Sequence, residues 1–204
     1  MPIMAGSGKA EASIMCGNLA MTNTEYSPGP AGRKRRLVGW RIAAWTGAGL
    51  ILLLPLIAMQ FSKEVQWTAF DFLAAGVMLA ALVGAFELAV RLSDDWLYRG
   101  GAALAAVGGF LMLWVQGAVG LVGSENSPFG LLVLAPLAVG VVGALWSRFR
   151  ARGLSRTLWV MAAMQAIVVA VAYAVTRDGD AFLLCVWVGI WALSAGLVGR
   201  AARR

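Results

Sequence analysis

The sequence predicts an all-α membrane protein, a bundle of about six transmembrane helices with both termini in the cytoplasm. Three observations lead to this prediction: the composition, the long apolar runs and the placement of basic residues. The chain has 204 residues, of which 60% are hydrophobic and 13% charged, and its mean hydropathy is +0.77. Soluble domains carry roughly 25% charged residues. A water-soluble core of this length cannot hide so much apolar surface, whereas a bilayer can.

The apolar runs set the predicted spans. A helix that crosses a bilayer needs about 20 apolar residues, and runs without period-two alternation do not fit a membrane β-barrel. The predicted spans are residues 37–61, 67–90, 99–122, 130–146, 157–176 and 181–199. They take up most of residues 33–200, which we interpret as one transmembrane domain.

The two ends of the chain are polar or basic. Residues 1–32 are rich in Gly, Ser, Asn, Thr and Pro and have no apolar period, so they are predicted to be a disordered tail; residues 201–204 are a basic end. The run Arg33–Arg36 is typical of the start of a signal peptide. The apolar stretch after it is too long for one and lacks a clear cleavage site, which favours a retained first helix.

Basic residues give the predicted orientation, because cytoplasmic loops are enriched in Lys and Arg. With six spans that start inside, the external loops receive only Lys63 and Arg177. Outside the tail, the other basic residues of the loops and ends fall on the cytoplasmic side, and Arg41 lies near the cytoplasmic end of the first span. The residues of these loops and ends are the run at 33–36, Arg91, Arg99, Arg148, Arg150, Arg152, Arg156, Arg200, Arg203 and Arg204. The net charge of +7 is therefore attributed to topology and anionic headgroups. The bilayer is the expected partner, and nucleic acid is not.

The composition excludes several kinds of chemistry. The chain has no histidine and two cysteines, Cys16 in the tail and Cys185 in the last span, which the topology separates. No zinc or iron–sulfur ligand set is present. We expect no cofactor, no metal site and no catalytic residues.

Glu87 is the acidic residue that helix capping does not explain, because it lies inside the second span. Arg91 follows at i+4, a spacing at which the two side chains can pair, and Arg41 of the first span is at similar depth. Two interpretations stay open. Glu87 forms a structural ion pair that holds the first two helices together, or it is a proton- or ion-binding carboxylate.

A second polar group is predicted at the external side. Asp71 and Gln116 should lie at similar depth, and the loop with Glu125 and Asn126 can fold over them. The group suits a cation or a small polar solute. Capping explains the same residues, since Thr68 and Asp71 have the spacing of a capping box. Gln165, near mid-membrane, is expected to donate a hydrogen bond to another helix.

Small residues recur every four positions in two neighbouring spans. They are Gly76, Ala80 and Gly84 in the second span, and Gly101, Ala105 and Gly109 in the third. Such ridges let helices approach closely. They predict a tight hairpin of these two spans or a contact between copies of the chain.

Three stretches carry a resemblance. They are LLPLIAMQFSKEVQWTAFDFLAAGVML at 53–79, ELAVR at 87–91 and WVQGAVGLVGSENSP at 114–128. Together they resemble a family of short, uncharacterised bacterial multi-pass inner-membrane proteins, over about residues 37–200. The resemblance implies a bacterial plasma membrane and helical hairpins, and draws attention to Asp71 and Glu125. It implies no activity.

Three classes of function follow. The first is a non-enzymatic accessory or partner-binding membrane protein, favoured by short loops and few unexplained polar residues. The second is a transporter or channel-like protein for an ion or small solute that uses Glu87 or the outer group. The third, an intramembrane enzyme, needs a convergent acid/base or metal site that the sequence does not display.

Overall fold

The computed structural model describes residues 30–62, 66–118, 128–176 and 183–204. In these ranges every regular element is helical. The six longer helices are α1 (Pro30–Phe61), α2 (Ala69–Leu92), α3 (Trp96–Ala118), α4 (Pro128–Trp146), α5 (Ala151–Thr176) and α6 (Cys185–Ala201). Four of them, α1, α2, α3 and α5, are long and apolar enough to cross a membrane, and α4 and α6 have shorter apolar stretches.

Two helix starts differ from the prediction by six residues or more. Helix α5 begins at Ala151 rather than at residue 157, because Arg148 and Phe149 adopt left-handed backbone angles, with φ of 49° and 58°, and reverse the chain in a short turn. Arg152 therefore belongs to the first turn of a helix rather than to a loop. Helix α1 begins at Pro30, inside the predicted tail; residues 1–29 lie outside the described ranges.

The part of α1 from Ala44 onward and helices α2 to α6 belong to one compact unit, and the described residues before Ala44 fall in another. In the larger unit α5 packs closely against both α4 and α6, and α6 also packs against α3. The core contains Met112, Val133, Met161 and Trp191, one from each of α3 to α6, all with at most 3% of their surface exposed. Helices α3, α4, α5 and α6 thus share one core.

Helices α2 and α3 pack as the predicted hairpin, but the glycines of the α3 ridge face α6 and α4 rather than the ridge of α2; a contact between copies of the chain stays a prediction. A Cβ on Gly101 would lie 2.7 Å from Val198 Cγ2 and 2.9 Å from the carbonyl oxygen of Ser194. A Cβ on Gly109 would lie 3.0 Å from Leu137 of α4, whereas one on Gly84 of α2 would meet nothing within 4 Å. Close approach needs a complementary surface, and α6 supplies it.

One end of the larger unit collects its arginines. The O–H of Tyr98, at the start of α3, donates to the carbonyl oxygen of Phe149 in the α4–α5 turn at 2.7 Å, and Ser155 Oγ of α5 donates to Ala195 O of α6 at 2.9 Å. The ends of α2, α4 and α6 therefore lie beside the starts of α3 and α5. We name this the arginine end. It carries Arg91, Arg99, Arg148, Arg150, Arg152, Arg156, Arg200, Arg203 and Arg204.

Candidate functional site

Glu87 lies at the junction of α1 and α2 and is bound from two directions. Its Oε2 accepts from Arg91 Nη2 at 3.2 Å, the predicted i,i+4 ion pair, and its Oε1 accepts from the indole Nε1 of Trp45 at 3.0 Å. The Glu87 side chain is only 12% exposed, against 64% for Arg91. The carboxylate thus ties α1 to α2 through an indole donor.

The indole donor is the part of this site that sequence reasoning missed. Trp45 follows Arg41 at i+4 and so shares its face of α1, but the sequence around Glu87 does not indicate that this indole reaches it. Arg41 is exposed and belongs to the smaller unit, and its predicted place beside Glu87 stays a prediction. One or two turns further along α1, Leu52 Cδ1 would lie 3.8 Å from a Cβ added to Gly76 of α2. Later residues of α1 thus lie beside earlier residues of α2, as in an antiparallel pair.

Asp71 closes the start of α2 as the predicted capping box. Its Oδ2 accepts from the backbone N–H of Thr68 at 2.7 Å and from Thr68 Oγ1 at 2.8 Å, and its own N–H donates to Thr68 Oγ1 at 3.4 Å. These bonds satisfy backbone donors that the first turn of a helix leaves free. They explain the carboxylate without a bound ion.

The start of α2 and the end of α3 come together around four aromatic rings. The centroid of Trp67 lies 5.2 Å from that of Phe72 and 6.0 Å from that of Trp114, which stacks on Phe110 at 5.8 Å. Gln116 is half-buried and follows Trp114 by two residues on α3. Asp71 and Gln116 therefore occupy the same end of the α2–α3 pair. Glu125 and Asn126, the other predicted members of the outer group, lie outside the described residues.

The α2–α3 turn binds one arginine tightly. Arg99 donates through Nε to Ser93 O at 2.6 Å and through Nη2 to Val90 O at 3.1 Å and to Asp94 Oδ1 at 2.7 Å. Asp95 caps α3, because its Oδ1 accepts from the N–H of Leu97 at 2.7 Å. Asp94 and Asp95 thus both accept hydrogen bonds from residues at the start of α3.

Three buried polar side chains have no hydrogen-bond partner among the described residues: Gln165 on α5, and Trp191 and Ser194 on α6. All three are fully buried. The expected bond from Gln165 to another helix is therefore not made within the described part of the chain. By contrast, the nearby Trp187 donates through Nε1 to Gly108 O at 3.0 Å.

The acidic side chains of the described helices are held by hydrogen bonds. Glu87 and Asp71, the acidic residues within the six helices, both accept hydrogen bonds from their neighbours. Within the described ranges no three Cys, Asp or Glu side chains come together as a metal site would require. No family model, curated protein or solved structure matches the chain.

Proposed function

We propose that the chain is an integral membrane protein that works without catalysis as an accessory or partner-binding subunit. The observation that carries the proposal is the exposure of α1. Among the α1 side chains that the structure describes, only that of Ala48 is buried. Those of Leu50, Leu54 and Ile57 are each at least half exposed. In a bilayer such a helix is available to another transmembrane helix, since packing there depends on close fit rather than on the hydrophobic effect.

The proposed topology has six spans, with both termini in the cytoplasm of a bacterial cell. The arginine end supports it, because every basic residue of the described part of 44–204 lies there, as the rule for cytoplasmic charge requires. The shortest of the six helices, α6, has 17 residues and is about 26 Å long. That length approaches the hydrocarbon thickness of about 30 Å.

Orientation is tested by labelling single cysteines in whole cells with a membrane-impermeant thiol reagent. In a chain with Cys16→Ser and Cys185→Ser, Gln66→Cys should react from outside. Arg150→Cys and Arg203→Cys should react only after the membrane is permeabilised. Labelling of Arg203→Cys in intact cells would contradict the orientation.

The partner is sought by site-specific photocrosslinking in cells. A photoreactive amino acid at Leu50 or Leu54, on the exposed face of α1, should give one discrete adduct with a different polypeptide. The matched control is Ile167 on α5, which is 63% exposed but lies on a helix with a packed core face. Lipid adducts alone at both α1 positions would contradict partner binding, and an adduct with a second copy would assign a homo-oligomer instead.

Substitution of Glu87 distinguishes the transport alternative from the accessory role. If Glu87 carries protons or ions, Glu87→Gln should abolish pH-dependent flux in proteoliposomes. An accessory role predicts no flux in either protein. Flux that is present in the native chain and lost in Glu87→Gln would replace the proposal.

A further inference from the structure

An apolar cavity of about 390 Å³ lies between α2 and α4, with α3 as its floor. We name it the lateral cleft and define it by Gly84, Leu92, Ala105, Gly109, Leu145 and Phe149, which line it. Gly84 of α2 and Ala105 and Gly109 of α3 have small side chains or none, so space is left beside these two helices. Leu92 and Leu145 are 48% and 61% exposed, so the cleft opens sideways.

The lining of the lateral cleft favours hydrocarbon over water. A buried water needs two to four polar partners, and the lining is almost entirely aliphatic and aromatic carbon. The O–H of Tyr98, which also lines the cleft, is already bonded to Phe149 O at 2.7 Å. An acyl chain suits the cleft because it is apolar and can enter through the opening at the side.

Positive charge without a partner carboxylate stands at one end of the lateral cleft. Phe149, a lining residue, is flanked by Arg148 and Arg150, whose side chains are exposed. Among the described residues no carboxylate lies within ion-pair distance of either arginine, whereas Arg91 and Arg99 are paired with Glu87 and Asp94. The α4–α5 turn that holds these arginines is fixed by the Tyr98 hydrogen bond.

We infer that the lateral cleft binds one acyl chain of an anionic phospholipid whose headgroup phosphate lies at Arg148 and Arg150. The cleft supplies the apolar contact, and the arginines supply the preference for negative charge. This site is separate from the exposed face of α1, so its failure and the failure of partner binding are independent.

The test uses the purified protein in phosphatidylcholine vesicles that contain a small fraction of phosphatidylglycerol with a photoreactive acyl chain. Irradiation should attach the probe to the floor of the cleft on α3, between Ala102 and Gly109. Unlabelled phosphatidylglycerol should compete, and phosphatidylcholine should compete far less. Equal competition by both lipids would overturn the anionic preference.

Two sets of variants separate the cleft from the charge. Gly84→Leu puts a side chain into the cleft where a Cβ meets no atom within 4 Å, and it should reduce labelling severalfold. Gly189→Leu, on the exposed side of α6 with equally open space, is the matched control and should label normally. Ala85→Leu, at an exposed lining position, replaces Gly84→Leu if that variant fails to fold. Unchanged labelling in a folded cleft variant would overturn the site.

The charge variants address the headgroup. Arg148→Gln and Arg150→Gln should each weaken the preference for phosphatidylglycerol roughly fivefold, because one arginine near an anionic surface changes the binding affinity by about that factor. Arg203→Gln with Arg204→Gln, at the exposed C-terminus of the same end, is the control and should leave the preference unchanged. An equal loss in the control would assign the preference to general surface charge and overturn the headgroup site.

Discussion

The indole N–H of Trp187 donates a 3.0 Å hydrogen bond to the carbonyl oxygen of Gly108. At the same crossing, a Cβ on Gly108 would lie 2.6 Å from Ile190 Cγ2. The missing side chain therefore lets α6 come close enough to α3 for an indole to reach a carbonyl within a helix. The bond satisfies a donor that would otherwise be buried without an acceptor, at a cost of about 1–3 kcal/mol.

Trp187→Phe should lower the free energy of unfolding by about 1 kcal/mol, because it keeps most of the ring contact and removes the donor. The measurement is an SDS titration in mixed micelles followed by circular dichroism. Trp159→Phe is the matched control, since Trp159 is 53% exposed, and it should change stability little. A similar loss in both variants would show that the hydrogen bond contributes nothing measurable.

Gly101→Ala should destabilise the fold by about 1–3 kcal/mol, the usual range for overpacking a close contact. The added methyl group would meet the backbone oxygen of Ser194 at 2.9 Å, and a backbone atom cannot move away cheaply. Gly100→Ala, one residue earlier, meets nothing within 4 Å and should be neutral or slightly stabilising. The same titration distinguishes them, and equal stability of the two variants would contradict the α3–α6 contact.

Gln165→Leu should stabilise the protein by about 1–3 kcal/mol, because it removes a buried amide that has no partner among the described residues. Ser155→Ala is the contrasting variant. Its hydroxyl donates to Ala195 O at 2.9 Å, so its loss should destabilise by about 1 kcal/mol. Destabilisation by Gln165→Leu would show that the amide is bound in the folded protein.

Trp45 and Glu87 should show a coupling free energy of about 1 kcal/mol in a double-mutant cycle with Trp45→Phe and Glu87→Ala. The two side chains share a hydrogen bond, and residues in contact are not additive. A cycle of Trp45→Phe with Asp71→Asn is the control, because Asp71 lies at the other end of α2, and its coupling should be near zero. Equal couplings would mean that the junction of α1 and α2 does not depend on this bond.

Much of the local structure could be predicted from sequence. The six apolar runs correspond to six helices, and the Thr68–Asp71 spacing forms the capping box. Capping and hydropathy are local, because they involve residues within one or two turns. The start of α5 was predicted six residues late because Arg148 and Phe149 adopt positive φ, which residues with a Cβ rarely do.

The candidate site could be predicted in part. The Glu87–Arg91 pair follows from i,i+4 spacing on one helix. The Trp45 donor comes from another helix, and no pattern within α2 reveals it. The lateral cleft is invisible in sequence for the same reason, since small residues on α2 and α3 are equally compatible with a closed contact.

The number of helices, their apolar character and the places where arginines accumulate follow from the sequence, because each depends on neighbours along the chain. Which helices meet depends on the fold. The ridge of α3 could have faced the ridge of α2, but Gly101 of this ridge and the adjacent Gly108 fit the side chains of α6, and Gly84 of α2 is left beside open space. That choice depends on the shapes of surfaces almost 100 residues apart in the chain, which apolar periodicity does not encode.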